Sequence, residues 1–298
     1  MSRAQHLRVV GSRSIFQFFL PSKGSPFSTH EFFRIDPETV ETPLLDEGRG
    51  ESVTLVVNPE EYGNEAMKEV NGDLWLWFLR PLAIPETAGQ EEAPRLWDRE
   101  RPRFEQRREF LFGTELTSTG VVVVSDEASY NYCQQLGIRA MLSPPPVSDA
   151  VTSLQPTHEV RVAAWVDKKP SRYTRSFLDS LPPGVLNLHG DTNIVQDFIW
   201  PSHWIVPQES VASTLPYEAA VCLGAGQTLI TGHLWPRWGL EPGLDYLEFS
   251  TPEELARISE HVIKHPASTR LLATRGFHKR TVFDGARVYN RLISRLGL

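Results

Sequence analysis

Short β-branched and aromatic runs alternate with polar, helix-prone stretches along most of this chain. Leu7–Val10 is a brief apolar run closed by Gly11-Ser12-Arg13-Ser14, and Ser52–Val57 is a second. Asp73–Leu79 (DLWLWFL) reads as a third strand or a buried segment, ended by Pro81 and Pro85. Gly120–Val124 (GVVVV) is unbroken and β-branched, the pattern of a central parallel strand covered on both faces. Ser125-Asp126-Glu127 predicts the start of a helix reaching about Leu136, with Gly137 ending it and Arg139–Leu142 returning as a strand. Ser28-Thr29-His30-Glu31 has the spacing of a capping box ahead of an aromatic-rich segment. Residues 86–118 are charge-rich and predict helix and loop.

The alternation resumes after Pro144-Pro145-Pro146, and the interdomain linker is placed at about Ser143–His158. Val160–Val166 predicts a strand, Ser171–Leu181 a helix, Val185–Leu188 a strand ending at His189-Gly190-Asp191, and Trp204–Val206 a short strand. Asn193–Phe198 predicts a short helix, and Pro252–Lys264 and Ser268–Leu296 longer ones. Strands alternating with helices through both halves predict an α/β protein of two Rossmann-like domains with parallel sheets, residues 1–145 and 146–298.

Composition narrows the picture. At 298 residues, 40% hydrophobic and 22% charged, the chain has the make-up of a folded globular protein of two cores. A net charge of −7 provides no global field toward nucleic acid or anionic membrane. The densest basic run, Arg99 to Arg108, is diluted by Asp98, Glu100 and Glu105 and reads as a solvated mixed-charge helix. Cys133 and Cys222 each lie among apolar residues and read as buried free thiols. No apolar run reaches transmembrane length and the N-terminus carries no signal-peptide core, so the cytoplasm is the default compartment.

The most informative stretch is Ser210–Gly232 (SVASTLPYEAAVCLGAGQTLITG). Ser210, Ser213 and Thr214 offer hydroxyls and an N-cap. Leu215–Cys222 predicts a short apolar helix with one acid, Glu218. Gly224 and Gly226 end it, and Gln227–Thr231 predicts a strand. A helix N-terminus presents unpaired N–H groups and the positive dipole end, which together hold a diphosphate without many cations. Glu218 falls about one turn further on, ~5 Å, within reach of a ribose hydroxyl. Lys168, Lys169 and Arg172 follow a strand of the second half, where ligands of open α/β sheets bind.

This stretch resembles the donor-site segment of GT-B glycosyltransferases, especially the spore-maturation-type branch. Pro216–Ala225 (PYEAAVCLGA) is similar to the family's YEAAxCGA helix, Leu229-Ile230-Thr231 to the strand after it, and Tyr246–Leu255 (YLEFSTPEEL) to its closing strand and S-x-E-E-L helix. In the E-x7-E spacing of many retaining members, Glu218 takes the second position and Ser210 the first, so this chain departs from that pattern. The resemblance implies a GT-B-like pair of domains facing across a cleft, and transfer of a sugar from a nucleoside-diphosphate sugar, UDP-sugar foremost, to an acceptor hydroxyl. The acceptor would be a small molecule, a glycan or another hydroxyl compound.

It further implies Lys169 and Arg172 at the leaving diphosphate, and Ser210, Ser213, Thr214 and Glu218 at phosphates and ribose. His189 and Gly190 would lie near the nucleoside and His233 near the sugar. Gly11 and Ser12 join the donor-binding set. His30 is the acceptor-side base, with Asp126 and Glu61 as rivals. No cofactor and no catalytic metal are expected, since no DxD pair or His/Cys/Asp cluster stands at ligand spacing. Retention and inversion both remain open. The alternatives are a non-catalytic nucleotide-sugar-binding module, a nucleotide-sugar epimerase, or a glycosyltransferase acting on modified DNA bases. The acidic charge weighs against the last.

Overall fold

The computed structural model describes residues 6–11, 31–34, 52–68, 70, 73–83, 93–116, 120–148, 151, 161–166, 170, 172–189, 201–207, 215–234 and 236–296. The chain divides between Pro144 and Pro145 into two compact units, and the final stretch from Val288 clusters with the first.

The first unit is built on a six-stranded parallel sheet. Its strands are β1 (His6–Gly11), β2 (Glu31–Arg34), β3 (Ser52–Val57), β4 (Asp73–Phe78), β5 (Val121–Val124) and β6 (Ala140–Leu142), in the order β2-β1-β3-β4-β5-β6. Its helices are α1 (Asn64–Lys68), α2 (Ala93–Gly113) and α3 (Glu127–Gln135). One face of the sheet, through Val10, Val56, Leu76, Phe78, Val122 and Val124, packs on Met67, Phe110, Leu111 and Cys133 of these three helices. On the other face Trp77 meets Tyr289 of the last helix edge-to-face, at 6.5 Å between ring centroids. The return of the chain end to the first unit therefore has a packing reason: an indole on an otherwise apolar sheet face takes an aromatic partner from it.

Several elements lie where the residue pattern puts them, and three corrections follow. Ser28–Glu31 resembles a capping box, yet Glu31 opens a strand that pairs in parallel with β1. Phe32 and Phe33 favour a pleated edge, and pairing with β1 outweighs a local cap. The stretch read as one helix over 268–296 is instead a 3₁₀ turn (Pro266–Thr269), α7 (Arg270–Lys279), a second 3₁₀ turn (Arg280–Val282) and α8 (Gly285–Leu296). The break falls where Gly285 comes within 2.9 Å, measured from an ideal Cβ, of the Val147 carbonyl oxygen. The helix read over 215–222 is α5 (Tyr217–Gly224), capped by Pro216 without a side-chain bond. Asp126, in contrast, caps α3 as its position predicts, accepting from the Ser129 backbone N–H at 2.8 Å and from its hydroxyl at 2.7 Å.

The second unit holds a five-stranded parallel sheet. β7 (Val162–Val166), β8 (Leu186–His189), β9 (His203–Val206), β10 (Thr228–Thr231) and β11 (Leu247–Glu248) run in the order β11-β10-β9-β7-β8. Val162, Ala164, Ile205 and Ile230 pack on one face against Phe177 of α4 (Arg172–Leu178) and Leu255 and Val262 of α6 (Pro252–Lys264). α5 and α7 contact β10 as well as each other. At the amino-terminal edge His203 is buried, its Nδ1 2.6 Å from Ser202 Oγ and its Nε2 2.5 Å from Thr269 Oγ1. Burial pushes this imidazole down to about 4, so it joins β9 to the 3₁₀ turn as a neutral ring. Cys133 and Cys222 are both buried and free, and burial raises both thiols.

Helix α7 is closely approached at Gly276. A β-carbon there would lie 2.8 Å from the Leu223 side chain of α5 and 2.9 Å from the Asp245 carbonyl oxygen. Alanine ordinarily stabilises a helix interior by about 1 kcal/mol over glycine. Here overpacking outweighs that gain, and Gly276→Ala is expected to destabilise the protein by about 1–3 kcal/mol. Denaturant unfolding of the two proteins measures it, and a higher midpoint for the variant would show that the contact relaxes freely.

Candidate functional site

Ligands of open parallel sheets bind at the carboxyl ends of the strands, where the strand order reverses. In the first sheet the chain passes from β1 outward to β2, then crosses to β3 on the other side of β1, so the reversal lies between β1 and β3. In the second it passes from β7 to β8 and back across to β9, so the reversal lies between β7 and β9.

Gly11 is the last residue of β1 and is buried at the first reversal. Just past the end of β3 stands Asn58, a non-glycine residue in the left-handed region (φ 48°). The Asn58 side chain earns that conformation by bonding on both sides, accepting from the Leu79 N–H at 3.3 Å and donating to Glu61 Oε1 at 3.1 Å. The two acids weighed as rival bases differ here. Asp126 is buried and committed to capping α3; burial raises its carboxyl to about 6, although both bonds from Ser129 oppose this. Glu61 is exposed beside Asn58.

The acid that the residue pattern missed is Glu60, one position earlier. Its Oε1 lies 3.4 Å from Nε of buried Arg107, and Arg107 also donates to the Pro81 carbonyl at 2.7 Å. Burial lifts the Glu60 carboxyl to about 7 even though Arg107 pulls it down. Nothing in Asn58-Pro59-Glu60-Glu61 distinguishes the buried acid from the exposed one, because the partner comes from a helix far along the chain.

At the second reversal, the strand ends bring candidate residues from distant parts of the sequence to one edge. His189 closes β8 beside Val166 of β7. Val206 closes β9 beside Thr231 of β10, whose hydroxyl donates to the Val206 carbonyl at 2.8 Å. Arg172 is the first residue of α4, the helix that follows β7. Glu218 lies in the first turn of α5, the helix that follows β9, and is only 2% exposed. It is therefore not the solvent-facing helical acid its alanine neighbours suggest. The whole of α5 is buried, and a carboxyl enters such surroundings only where its lost hydration is compensated.

His233 follows β10 and is half exposed, with Nδ1 3.3 Å from Glu248 Oε1. Ser12, His30, Lys169, Gly190, Ser210, Ser213 and Thr214 lie outside the described residues. Among the described residues no three His, Cys, Asp or Glu side chains gather as a metal site, and no helix is long and apolar enough to cross a membrane.

No family model matches this chain, and no curated protein matches its sequence. Solved structures do match its fold. A sucrose-phosphate synthase from Thermosynechococcus elongatus superposes with a TM-score of 0.56 at 12% identity, over 82% of this chain and 73% of that one. The Anabaena protein HepE in complex with UDP gives 0.55 at 12% identity, over 98% of this chain and 100% of the other. A glycosyltransferase from Rickettsia africae gives 0.53 at 9% identity, over 98% and 99%. The fold is thus α/β with two Rossmann-like domains of the GT-B type.

Glu60 carries a pH signature. Its carboxyl is easier to protonate in the folded than in the unfolded chain, so it favours the fold fully below about pH 4.5, and this contribution is lost as pH rises through about 7. Asp126 acts in the same direction between about 4 and 6. Glu60→Gln is expected to flatten the fall in stability between pH 5 and pH 8, read by urea unfolding at each pH. An unchanged slope would place Glu60 in contact with water.

Proposed function

We propose that this chain is a glycosyltransferase that moves a sugar from a nucleoside-diphosphate sugar, UDP-sugar foremost, to an acceptor hydroxyl without a catalytic metal. The observation that carries this reading is the convergence at the β7/β9 reversal. β7 ends at Val166, three residues before Lys169 in the sequence; β9 ends at Val206, four residues before Ser210; and α5 carries a buried acid in its first turn. A helix start that follows such a reversal is a natural seat for a diphosphate.

In this reading Lys169 and Arg172 offset charge on the departing diphosphate, the three hydroxyl residues bind its oxygens, and Glu218 holds the ribose. His189 and Gly190 border the nucleoside, His233 faces the sugar, and Gly11 and Ser12 complete the donor set. His30, in the acceptor-side domain of residues 1–145, takes the acceptor proton, and residues 146–298 form the donor domain. HepE, described in complex with UDP and glucose and with UDP-glucose, supports the donor class. The similarity of Pro216–Ala225 to the spore-maturation-type helix supports that branch.

One observation favours a second reading. Ser210 occupies the position of the first acid in the E-x7-E spacing, which suits a module that binds a nucleotide sugar without transferring it.

A thermal-shift panel of UDP, GDP, ADP and their sugars tests the proposal. A ligand at a hundred times its dissociation constant adds about 2.7 kcal/mol of stability. One nucleotide is expected to stabilise the wild type, with the shift lost in Glu218→Gln and Lys169→Ala. No shift from any nucleotide overturns the transferase reading. A shift without sugar release in a hydrolysis or transfer assay selects the binding module.

A further inference from the structure

Two side chains at the donor edge have no part in the roles above: Glu248 and Tyr246. Glu248 ends β11 opposite Thr231, the last residue of β10, so its carboxyl leaves the sheet beside the turn that carries His233. Both of its oxygens are engaged. Oε2 accepts from the hydroxyl of fully buried Tyr246 at 2.6 Å, and Oε1 faces His233 Nδ1 at 3.3 Å. Exposure rises along this chain of groups, from none at Tyr246 to 21% at the Glu248 side chain and 51% at His233.

The loop beneath is tied down. Buried Asp245 accepts from the Glu241 N–H at 2.9 Å, and Lys279 of α7 donates to the Gly239 carbonyl at 2.7 Å. The series thus begins in an anchored, buried pair and ends at a ring facing outward.

We propose that Glu248 and Tyr246 are positioning residues that fix the tautomer and orientation of His233, so that Nε2 accepts a hydrogen bond from a hydroxyl of the donor sugar. The inference rests on the donor-site reading given above and adds the residues that orient its sugar contact. A carboxylate has only acceptors to offer. The imidazole nitrogen that faces it therefore carries the proton, which makes Nε2 the acceptor nitrogen of the neutral ring. An acceptor nitrogen suits a sugar hydroxyl and repels a phosphate oxygen, so this edge reads the sugar and leaves the diphosphate to the start of α5. The placement agrees. β10 neighbours β9, and strands are ~4.8 Å apart, so His233 stands about one strand from the reversal.

The test begins with Glu248→Gln. Glutamine has one carbonyl oxygen, which Tyr246 claims, so its NH₂ group faces Nδ1. The ring proton must then move to Nε2. Nitrogen-15 NMR of the histidine rings at pH 8 is expected to show Nδ1–H at His233 in the wild type and Nε2–H in Glu248→Gln. Calorimetry of the same proteins is expected to show UDP binding within about twofold of wild type and UDP-glucose binding weakened about tenfold, the value of one neutral hydrogen bond. His233→Ala should lose as much, and the double variant no more. An Nε2–H tautomer in the wild type, or equal UDP-glucose affinity in Glu248→Gln while UDP still binds, overturns this inference alone. A wild type that binds neither UDP nor UDP-glucose overturns the donor-site reading together with it.

Discussion

Parallel strands covered on both faces cannot carry polar chemistry along their length, and everything else in this protein follows from that constraint. Val53–Val57, Leu74–Phe78 and Val121–Val124 of the first sheet, and Val162–Val166, His203–Val206 and Thr228–Thr231 of the second, are buried throughout. Their backbones are satisfied within the ladders, and their side chains are taken up by helices or rings on either side. Chemistry is pushed to the strand ends. In both sheets the strand order reverses once between neighbours, at β1/β3 and at β7/β9, and the crevices of open α/β sheets form beyond the carboxyl ends of such strands.

The two edges use their acids differently. At the first, the acids serve the fold. Asp126 holds the start of α3, its partner Ser129 accepts from the Leu82 N–H at 2.7 Å, and Glu60 lies against an arginine that ties the Pro81 carbonyl to α2. These groups stitch the ends of β3, β4 and β5 to the helices, at the cost of burying carboxyls that resist ionisation. At the second edge the acids stand at element ends: Glu218 in the opening turn of α5, and Glu248 at the end of β11.

Much of this was legible in the residues because it rests on local physics. Ser52–Val57 and Pro252–Lys264 match β3 and α6 end to end, since a β-branched run and a capped amphipathic run each declare their own limits. Thr251 caps α6 by accepting from the Glu254 N–H at 3.2 Å, while Glu254 reaches back to the Ser250 N–H at 2.9 Å. Ser28–Glu31 offers part of the same signal and fails, because β1 supplies a ladder that no local rule contains. The burial of Glu218 was equally illegible. An acid among alanines has the helical propensity of a surface residue, and only the packing of α5 against β9, β10 and α7 places it inside. Strand order, and with it the location of both reversals, depends on pairing between segments and left no local trace. The choice of Glu60 over Glu61 as the buried acid is of the same kind.

The second edge also explains why its loop is so firmly held. Tyr246 and Glu248 stand two apart and lean to the same side, while Leu247 between them and Phe249 after them pack into the apolar cluster with Ile230 and Leu255. The short strand β11 is therefore fixed from its apolar side, and its polar side chains have little freedom in where they point. Asp245, two residues before it, lies within 4 Å of Arg275 and Lys279 of α7, and its carbonyl oxygen is 2.9 Å from where a β-carbon at Gly276 would stand. Any side chain at Gly276 would push on the segment that sets the Tyr246 ring. A glycine in the middle of a helix costs helical stability, and here it lets α7 approach closely enough to hold the Tyr246–Glu248 pair in register with the end of β10. The same close approach brings α7 against Leu223 and so steadies α5, whose first turn carries Glu218. Two close approaches at one glycine thus set α7 against both the end of α5 and the segment that leads into β11.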